Sequence, residues 1–572
     1  MGTVFALVAT TQAAPASLRM LTQNNYLRGL PVLVRVEGYA PDGSRDKETW
    51  DIDATLTADG GVTLSTNKIT LRNGMGSELV TFSGATDFNL TATVGGVSVT
   101  RALHDASGLP VTKVGGTLNG GSGTWSGLIN VTSSLIITNY TLTIQSNTLV
   151  LLNGISTGTT GVSITVNANA SIQSLGTELH PVTITCSNLF FTNRWGRIVH
   201  NSSQPSLYRH TFIHRAGRAV GEGHTSQAAA IRTSGSTLTF ESATISDLCE
   251  TDSASPAFGT PAKVMFALTS VLSFNDCLFQ RVRTGPEIDQ SSLLYTNSYV
   301  MDTRGPDDSD GLYVHAQQGG QTVKIVDCVF ARGDDDGIDT LGPVMTIENC
   351  IFREWNNLLE DAKGISVFDG TTDVRHCLFT DCTVAIAAKT TSSVRVNINT
   401  STFMGNLTNV LAAFKVTAPG PIVELRITNS VLWGGNPVHS DFDSGVNNST
   451  NFIIRYCDIG ETWAGTGNIN SDPLFVNAAA KNFRVQVGSP TFNAGDPASP
   501  LDLDGTRADQ GYFPFLTSVG SLISTGAVWR YLDNGTDQGT NWSQRLFNDN
   551  SWSNGPAQLG YSSSPADRKS VG

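Results

Sequence analysis

A short strand motif recurs along the middle of the chain and constrains its fold more than any other feature. Its clearest copies read LSFNDCLF, VKIVDCVF, MTIENCIF and TDVRHCLF, and they end at Phe279, Phe330, Phe352 and Phe379. A small residue holds one phase of the motif throughout: Ala243, Cys277, Cys328, Cys350, Cys377, Ser401, Ser430 and Cys457. One strand repeated in one phase predicts a solenoid whose coils stack these small residues in a column.

The spacing of this column favours a solenoid over an ordinary compact domain. From Cys328 onward the intervals are similar to one another, whereas those that flank Cys277 are longer and predict an extra coil or a large loop. The pattern resembles the right-handed parallel β-helix of the pectate-lyase-like superfamily. That resemblance implies an all-β protein with a right-handed parallel β-helix, a solenoid, over residues 115–515.

The eight cysteines could be read as a disulfide framework. Four of them, Cys277, Cys328, Cys350 and Cys377, instead share the column with serines, which cannot form disulfides. We predict that these four are reduced and buried in the core. A metal or disulfide role is the alternative, although clustered CxxC spacing is absent.

The chain before the solenoid has a different texture. Residues 20–105 alternate apolar and polar residues between turns such as PDGS and ADGG, which predicts an immunoglobulin-like β-sandwich. Residues 104–123 read as a linker, and we expect the sandwich to cover the apolar first coil. Residues 1–19 resemble the remnant of a secretory signal, which predicts a secreted or cell-surface protein; a disordered tail is the alternative.

The sequence pattern changes again in the C-terminal part. Residues 518–572 are rich in tryptophan and resemble the opening strands of a galactose-binding-like jelly roll. They are too few to complete one, so we expect a partial C-terminal β-domain in a truncated chain. Just before them, Asp502, Asp504 and Asp509 have turn-like spacing; we expect a hydrogen-bonded turn, with a structural Ca²⁺ as the alternative.

Composition limits the partners. The 36 basic and 49 acidic residues leave a formal charge of −13, which argues against nucleic acid or an anionic membrane as a partner. An acidic polysaccharide remains compatible if a cation mediates the contact. No segment reaches the roughly 18 continuous apolar residues that span a bilayer. We expect a monomer.

One acidic stretch stands out in a chain with only 15% charged residues. ARGDDDGIDTLG places Asp334, Asp335 and Asp336 in a row, followed by Asp339. Carboxylates this close repel one another unless they bind a cation or are partly protonated. A solvated acidic turn is the alternative, and for Asp334 both readings stay open, a ligand or a side chain that points to solvent.

The small-residue column predicts where the acidic residues lie on their coils. Asp336 lies as far before Cys350 as Lys363 lies before Cys377, and each precedes a glycine. Asp310 also precedes a glycine and lies slightly farther before Cys328, with an inserted turn to absorb the excess. We therefore expect Asp310, Asp336 and Lys363 to stack on successive coils about 4.8 Å apart. Ca²⁺, which takes six to eight oxygen ligands, would relieve the repulsion.

The acidic motif resembles the calcium site of the bacterial family-nine pectate lyases, which pair Asp-Gly on one coil with Asp-Asp-Gly-x-Asp on the next. The resemblance implies that Asp310, Asp335, Asp336 and Asp339 bind Ca²⁺ and that Lys363 is the base of a β-elimination on an acidic polysaccharide. For Lys363, an ion pair with Asp336 or Glu360 is the alternative. Three flanking side chains are candidates for contact with the substrate: Arg304, His315 and Arg332.

Three classes of function follow from these residues. The first is a calcium-dependent polysaccharide lyase, and the second is a non-catalytic surface or adhesive protein whose Ca²⁺ stiffens the solenoid. A hydrolase of the polygalacturonase type is weaker, because its His-Gly and Arg-x-Lys elements are not evident. A groove with cations and aromatic residues above the aspartates would favour the enzyme, whereas a blocked groove would favour the structural protein.

Four histidines form a second candidate cluster: His200, His210, His214 and His224. His210 and His214 would share a face of one strand, so a transition-metal site is conceivable. We expect exposed or hydrogen-bonded histidines instead.

Overall fold

The computed structural model describes residues 14–84, 86–189, 193–224, 226–248, 262–305, 308–356, 362–414, 422–441, 449–515, 528–532, 534, 536 and 548–556. The chain forms two compact units. The larger comprises Met1–Ser499 and Ala508–Phe515, and the smaller comprises Pro500–Arg507 and Leu516–Gly572.

The larger unit begins with a two-sheet β-sandwich. Its strands are β1 (Ser17–Thr22), β2 (Asn25–Tyr26), β3 (Val32–Tyr39), β4 (Ile52–Ala58), β5 (Lys68–Leu71), β6 (Met75–Val80), β7 (Phe88–Val94) and β8 (Val97–Asp105). One sheet has the order β1-β3-β6 and the other β2-β8-β7-β4-β5. Alternating side chains of both sheets, such as Val34 and Leu90, meet in one apolar core. A short 3₁₀ turn, Ala106–Gly108, leads out of the sandwich.

The solenoid follows without a break. Its strands are β9 (Val111–Trp125), β10 (Leu128–Gln145), β11 (Leu149–Leu152), β12 (Ile164–Val166), β13 (Ser171–Leu175), β14 (Val182–Cys186), β15 (Ile198–Asn201), β16 (Ser206–Arg209), β17 (Thr211–His214), β18 (Ala228–Ser234), β19 (Thr237–Glu241), β20 (Thr244–Ser246), β21 (Ala262–Leu268), β22 (Val271–Asn275), β23 (Leu278–Val282), β24 (Pro286–Asp289), β25 (Ser292–Thr296), β26 (Tyr299–Thr303), β27 (Tyr313–His315), β28 (Val323–Val326), β29 (Val329–Gly333), β30 (Ile338–Leu341), β31 (Val344–Glu348), β32 (Ile351–Trp355), β33 (Lys363–Arg375), β34 (Leu378–Thr380), β35 (Val384–Asn399), β36 (Thr402–Met404), β37 (Thr408–Phe414), β38 (Ile422–Thr428), β39 (Val431–Trp433), β40 (Asn436–Asp441), β41 (Ser449–Arg455) and β42 (Asp458–Ile459).

Parallel pairing between strands three apart makes this segment a parallel β-helix, as predicted. For example, β15 pairs with β18, β18 with β21 and β21 with β24. Each coil therefore contributes one strand to each of three sheets. We call the sheet that contains β18, β21, β24, β27, β30, β33 and β35 the site sheet. The sheet that contains β11, β17, β20, β23, β26, β29 and β32 is the sandwich-facing sheet.

The predicted column of small residues is present and has one more member. Tyr299 N donates to Cys277 O and Val329 N donates to Ser298 O, so Ser298 lies between Cys277 and Cys328. The long interval between these two cysteines therefore contains an extra coil, one of the two predicted alternatives. The residue before each member has a left-handed backbone, for example Asp327 (φ 59°) and Asn349 (φ 55°), a conformation that Asp and Asn tolerate.

Aromatic rings stack next to this column in the core. Phe330, Phe352, Phe379 and Phe403 lie on successive coils with ring centroids 4.7–5.0 Å apart and nearly parallel planes. Seven cysteines of the described residues are free and buried: Cys186, Cys277, Cys328, Cys350, Cys377, Cys382 and Cys457.

Two expectations about the N-terminal part are wrong. Residues 111–123 belong to β9, which pairs in parallel with β10 as part of the first coil, and are not a linker. The sandwich lies along the sandwich-facing sheet, not over the first coil, most of whose β9 side chains are exposed. Contacts with the solenoid extend from Leu30 beside Leu149 to Trp50 under the guanidinium of Arg353.

The remaining strands are short. β43 (Phe475–Asn477) and β44 (Asn482–Val485) form an antiparallel hairpin after the solenoid, with a 3₁₀ turn at Ala478–Ala480 between them. In the smaller unit, β45 (Val528–Tyr531) pairs antiparallel with β46 (Ser553–Pro556). The predicted signal remnant lies mostly outside the described residues, and so does most of the predicted jelly-roll segment.

Candidate functional site

A column of glycines positions the acidic residues at the start of the site-sheet strands. Gly311 N donates to Asp336 O at 2.8 Å, and Gly337 N donates to Lys363 O at 2.8 Å. Asp310, Asp336 and Lys363 therefore occupy equivalent positions on three successive coils, as their phase predicts. A Cβ on Gly337 would lie 2.5 Å from Gly364 O, so the close approach of the coils requires glycine here.

Three carboxylates converge beside this column. Asp310, Asp335 and Asp336 each offer an oxygen within 4.8 Å of the others. Asp310 is 3% exposed and Asp336 is 4% exposed. Burial, followed by repulsion from Asp339 and Asp335, raises the pKa of Asp310 well above its ordinary value. Burial also raises the pKa of Asp336 to about 8, although Lys363 opposes that shift.

Asp339, the fourth predicted ligand, is not part of the group of three converging carboxylates, although its charge raises the pKa of Asp310. It lies on β30, directly between Tyr313 of β27 and Ser366 of β33 in the strand register. Among the described residues, its buried Oδ1 has no hydrogen-bond partner. A buried carboxylate oxygen without a partner is costly, which makes this oxygen a candidate ligand atom.

Lys363 contacts the acidic group directly. Its backbone N donates to Asp336 Oδ1 at 2.9 Å, and its Nζ lies 3.2 Å from the same oxygen. Lys363 is 4% exposed. The ion pair with Asp336, one of the two predicted alternatives, is therefore present in the structure.

Asp334 contacts Arg304 and Gly305, away from the other aspartates. Its Oδ1 accepts a hydrogen bond from Arg304 Nη1 at 2.9 Å, and its Oδ2 accepts one from Gly305 N at 3.0 Å. It therefore forms an ion pair instead of pointing freely to solvent. The row of three aspartates is tolerated partly because one of them is neutralised by arginine.

The three predicted substrate contacts already have carboxylate neighbours. Arg304 pairs with Asp334, and Arg332 lies 3.6 Å from both Asp302 and Glu354. His315 Nε2 lies 3.3 Å from Glu287 Oε1, and its Nδ1 lies 3.8 Å from Asp289 Oδ1. Their roles in substrate binding stay predictions, and each would compete with an existing ion pair.

The structure reveals a second charged cluster that sequence reasoning missed. Lys263 and Glu287, both fully buried, form an ion pair, and Lys263 Nζ also donates to Glu222 O at 2.8 Å. Burial lowers the pKa of Lys263, against the opposing effect of Glu287. His224 N donates to Glu287 Oε1 at 2.6 Å, and the His224 ring stacks on Tyr313 at 4.9 Å. Lys263 and Glu287 lie about one coil apart in the sequence, but no motif marks them.

Within the described residues, the aspartates are the one group with spacing suitable for a metal, and the four candidate histidines do not form such a group. His200 is hydrogen-bonded to Ser203 Oγ at 3.0 Å and Tyr208 Oη at 2.9 Å. Burial lowers the pKa of His200 and of His214 to about 3, so both are neutral. The prediction of hydrogen-bonded histidines is confirmed for His200.

The hydrogen-bonded turns predicted near Asp504 and Asp509 are present. Asp509 accepts from Asn493 N through Oδ1 and from Phe515 N through Oδ2, both at 2.6 Å. In the smaller unit, Asp504 Oδ1 accepts from Thr506 N at 3.0 Å. These carboxylates satisfy backbone donors, which is what a turn requires.

Comparison with known proteins finds distant structural likenesses. No family model and no curated protein matches the chain. Among solved structures, a double mutant of the tailspike protein of E. coli bacteriophage HK620 aligns with 59% of this chain and 72% of its own, at 8% identity and a TM-score of 0.24. The A-module of a mannuronan C-5 epimerase from Azotobacter vinelandii aligns with 64% and 92%, at 11% identity and a TM-score of 0.16. In the part of the chain that the structure describes, no helix is long and apolar enough to cross a membrane.

Proposed function

We propose that this chain is an exported calcium-binding β-helix protein that binds acidic polysaccharide at the cell surface or outside the cell. The observation that carries the proposal is the convergence of Asp310, Asp335 and Asp336, whose oxygens lie within 4.8 Å of one another. Without a cation, these carboxylates repel one another in a buried place. A bound cation would convert that cost into binding free energy.

The donor set fits Ca²⁺ better than a transition metal. All the candidate ligands are carboxylates, and hard oxygen donors suit Ca²⁺, whereas imidazole and thiolate donors suit zinc or copper. Asp310, Asp335, Asp336 and Asp339 would hold the ion. The Oδ1 atom of Asp339, which has no hydrogen-bond partner among the described residues, supports its inclusion.

The same residues support a lyase. Bound Ca²⁺ would supply positive charge to the carboxylate of a uronate residue and so acidify its C5 proton. Lys363 Nζ would take that proton; the C4–C5 double bond forms as the C4–O bond breaks, and the leaving oxygen takes up a proton from solvent. For this step Lys363 must first give up its contact with Asp336 and its own proton.

A non-catalytic role is the second candidate, and one observation favours it. Lys363 is buried and held by Asp336 through both its backbone N and its Nζ. A lysine in that position contributes to the structure of the coil, and the ion would then stiffen the solenoid for an adhesive or surface function.

A screen of uronate polymers with and without a chelator separates the candidates. A lyase produces unsaturated products that absorb in the ultraviolet, and Lys363→Ala should abolish them while Lys324→Ala, at an exposed position, should not. Binding of an acidic polymer without any such product would leave the non-catalytic candidate. Failure of the wild-type protein to bind any acidic polymer in calcium would overturn the proposal.

A further inference from the structure

One row of side chains crosses the site sheet beside the acidic cluster. The strand register aligns His315 with Leu341, Leu341 with Phe368, and Phe368 with Lys389. A parallel row, two residues earlier in each strand, aligns Tyr313 with Asp339 and Asp339 with Ser366. The row that ends at Lys389 therefore begins at the coil of the acidic residues and continues toward the C-terminal end of the solenoid.

Charge is distributed unevenly along this surface. On the N-terminal side of the acidic cluster, Asp289 is aligned with His315 and is acidic, whereas the buried charge of Glu287 is already paired with Lys263. On the C-terminal side, Lys363 is already paired with Asp336, whereas Lys389 is basic and its charge is close enough to lower the pKa of Asp336. An anionic ligand that reaches the cluster would be repelled from the first side and attracted to the second.

Lys389 differs from the other cations near the cluster, because no carboxylate of the described residues forms an ion pair with it. Arg304, Arg332, His315 and Lys363 each have a carboxylate within 3.6 Å. Lys389 is partly exposed. Its ammonium group can therefore bind an external anion without breaking an ion pair with any residue that the structure describes.

The residues between the cluster and Lys389 suit a sugar chain. Leu341 is 44% exposed, and Phe368 is partly exposed beside it. The two side chains lie one coil spacing, about 4.8 Å, apart, and Lys389 follows one spacing farther along the row. Ligand sites commonly combine apolar and aromatic surface with a few placed polar groups. Ser366, next to Asp339 in the register, has a buried Oγ without a hydrogen-bond partner in the described part of the chain.

We propose that Leu341, Phe368 and Lys389 form a subsite for an anionic glycan, in which a carboxylate of the bound chain pairs with Lys389. The subsite lies on the C-terminal side of the acidic cluster, so the glycan runs along the solenoid axis from the cluster toward Lys389. This inference rests on the proposed binding of acidic polysaccharide and adds the residues that select an anionic chain and the direction in which it lies.

Binding of uronate oligosaccharides to variants tests the subsite. Wild-type protein, Lys389→Gln and the control Lys324→Gln are titrated in calcium with oligomers of galacturonate, mannuronate and guluronate, and with their carboxyl-reduced neutral counterparts. Loss of one charge-assisted contact should weaken binding of the uronate oligomer about tenfold in Lys389→Gln. Lys324→Gln should bind as the wild type does, and Phe368→Ala should weaken binding of the oligomer.

Calcium affinity of the same variants separates a lost contact from a damaged site. Removing the Lys389 charge takes a cation away from Asp336, so Lys389→Gln should bind Ca²⁺ at least as tightly as the wild type while it binds the oligomer more weakly. Equal oligomer affinity in wild type and Lys389→Gln would overturn the subsite and leave the proposed function intact. Parallel loss of calcium and oligomer binding in Lys389→Gln would also overturn it. Absence of oligomer binding by the wild type would overturn the proposed function and the subsite together.

Discussion

At the scale of a single residue, two opposing effects act on the pKa of Asp336. Burial, together with repulsion from Asp339 and Asp335, raises its pKa, and it accepts two hydrogen bonds from Lys363, which favour its charged form. The balance leaves a pKa of about 8, so near neutral pH the group carries a proton for much of the time. A cation that needs the carboxylate must displace that proton.

We expect calcium affinity to rise with pH. The folded-state pKa of Asp336 lies above its ordinary value of 3.8, so its contribution to stability without a cation is full below about pH 4 and is lost as the pH rises toward 8. Calcium binding should therefore tighten between pH 6 and pH 8 and release protons. Calorimetry in two buffers with different ionisation heats measures the release; identical apparent heats in both buffers would contradict it.

The positions of site residues could be predicted where the coil length is regular. Asp336 and Lys363 lie equally far before Cys350 and Cys377, so counting along the chain was enough to align them. The partners of Arg304 and His315 could not be predicted, because they depend on which side of a strand each carboxylate faces. Lys389 gave no signal either, since a lone lysine in an apolar strand has no motif.

At the scale of the element, the glycine column determines how closely the coils approach at the site. A Cβ on Gly311, Gly337 or Gly364 would lie 2.5–2.6 Å from a carbonyl oxygen of the next coil, which is too close for any side chain. The residues that precede these glycines, Asp310, Asp336 and Lys363, are thereby held in one column. The geometry of the cluster thus depends on residues that carry no chemistry themselves.

Gly337→Ala should destabilise the protein by about 1–3 kcal/mol, because its Cβ would lie 2.5 Å from Gly364 O and 3.1 Å from the ring of Trp355. Gly319→Ala is the matched control, because nothing lies within 4 Å of its Cβ position. Thermal unfolding of the two variants measures the difference. Equal melting temperatures would show that the coils are less tightly constrained than the contacts indicate.

The column of small residues predicts the state of the cysteines. Cys277, Cys328, Cys350 and Cys377 are buried and unpaired, and burial raises the pKa of Cys277 to about 12, which makes its thiol unreactive. Thiol counting on denatured, unreduced protein should find these four free. A count near zero would refute the prediction.

Elements of the solenoid were predictable to different degrees. Strands with an apolar alternation and a Cys or Ser member were found from sequence, because the period repeats. Ser298 was missed because Tyr299 and Val300 follow it in place of the usual apolar residue and phenylalanine. β9 was mistaken for a linker because a terminal coil exposes one edge and most of its side chains, so glycine and threonine serve there as well as apolar residues.

At the scale of the whole molecule, the sandwich packs against the sandwich-facing sheet of the solenoid. Arg35 of the sandwich is fully buried and pairs with Glu37 at 2.5 Å and with Asp276 of the solenoid at 3.3 Å. Arg281 donates to Ser77 O at 2.7 Å, and Tyr299 donates to Asn73 O at 2.6 Å. The sequence does not predict this placement, since the residues involved have no periodicity.

We expect Arg35→Met to lower stability by about 3 kcal/mol, because it removes a buried charge from a paired network. The exposed pair of Lys68 with Asp53 provides the control, and Lys68→Met should change stability by less than about 1 kcal/mol. Thermal unfolding should show the sandwich and the solenoid melting together. Separate melting of the sandwich, unchanged in Arg35→Met, would show that the interface adds nothing.

The proposed function of the whole molecule depends most on calcium binding by the acidic cluster. Calorimetric titration of the wild-type protein with Ca²⁺ should give one site per chain. Asp336→Asn should weaken that site at least tenfold, and Asp53→Asn, an exposed carboxylate of the sandwich, should leave it unchanged. No calcium heat in the wild type, or equal affinity in Asp336→Asn, would contradict the account.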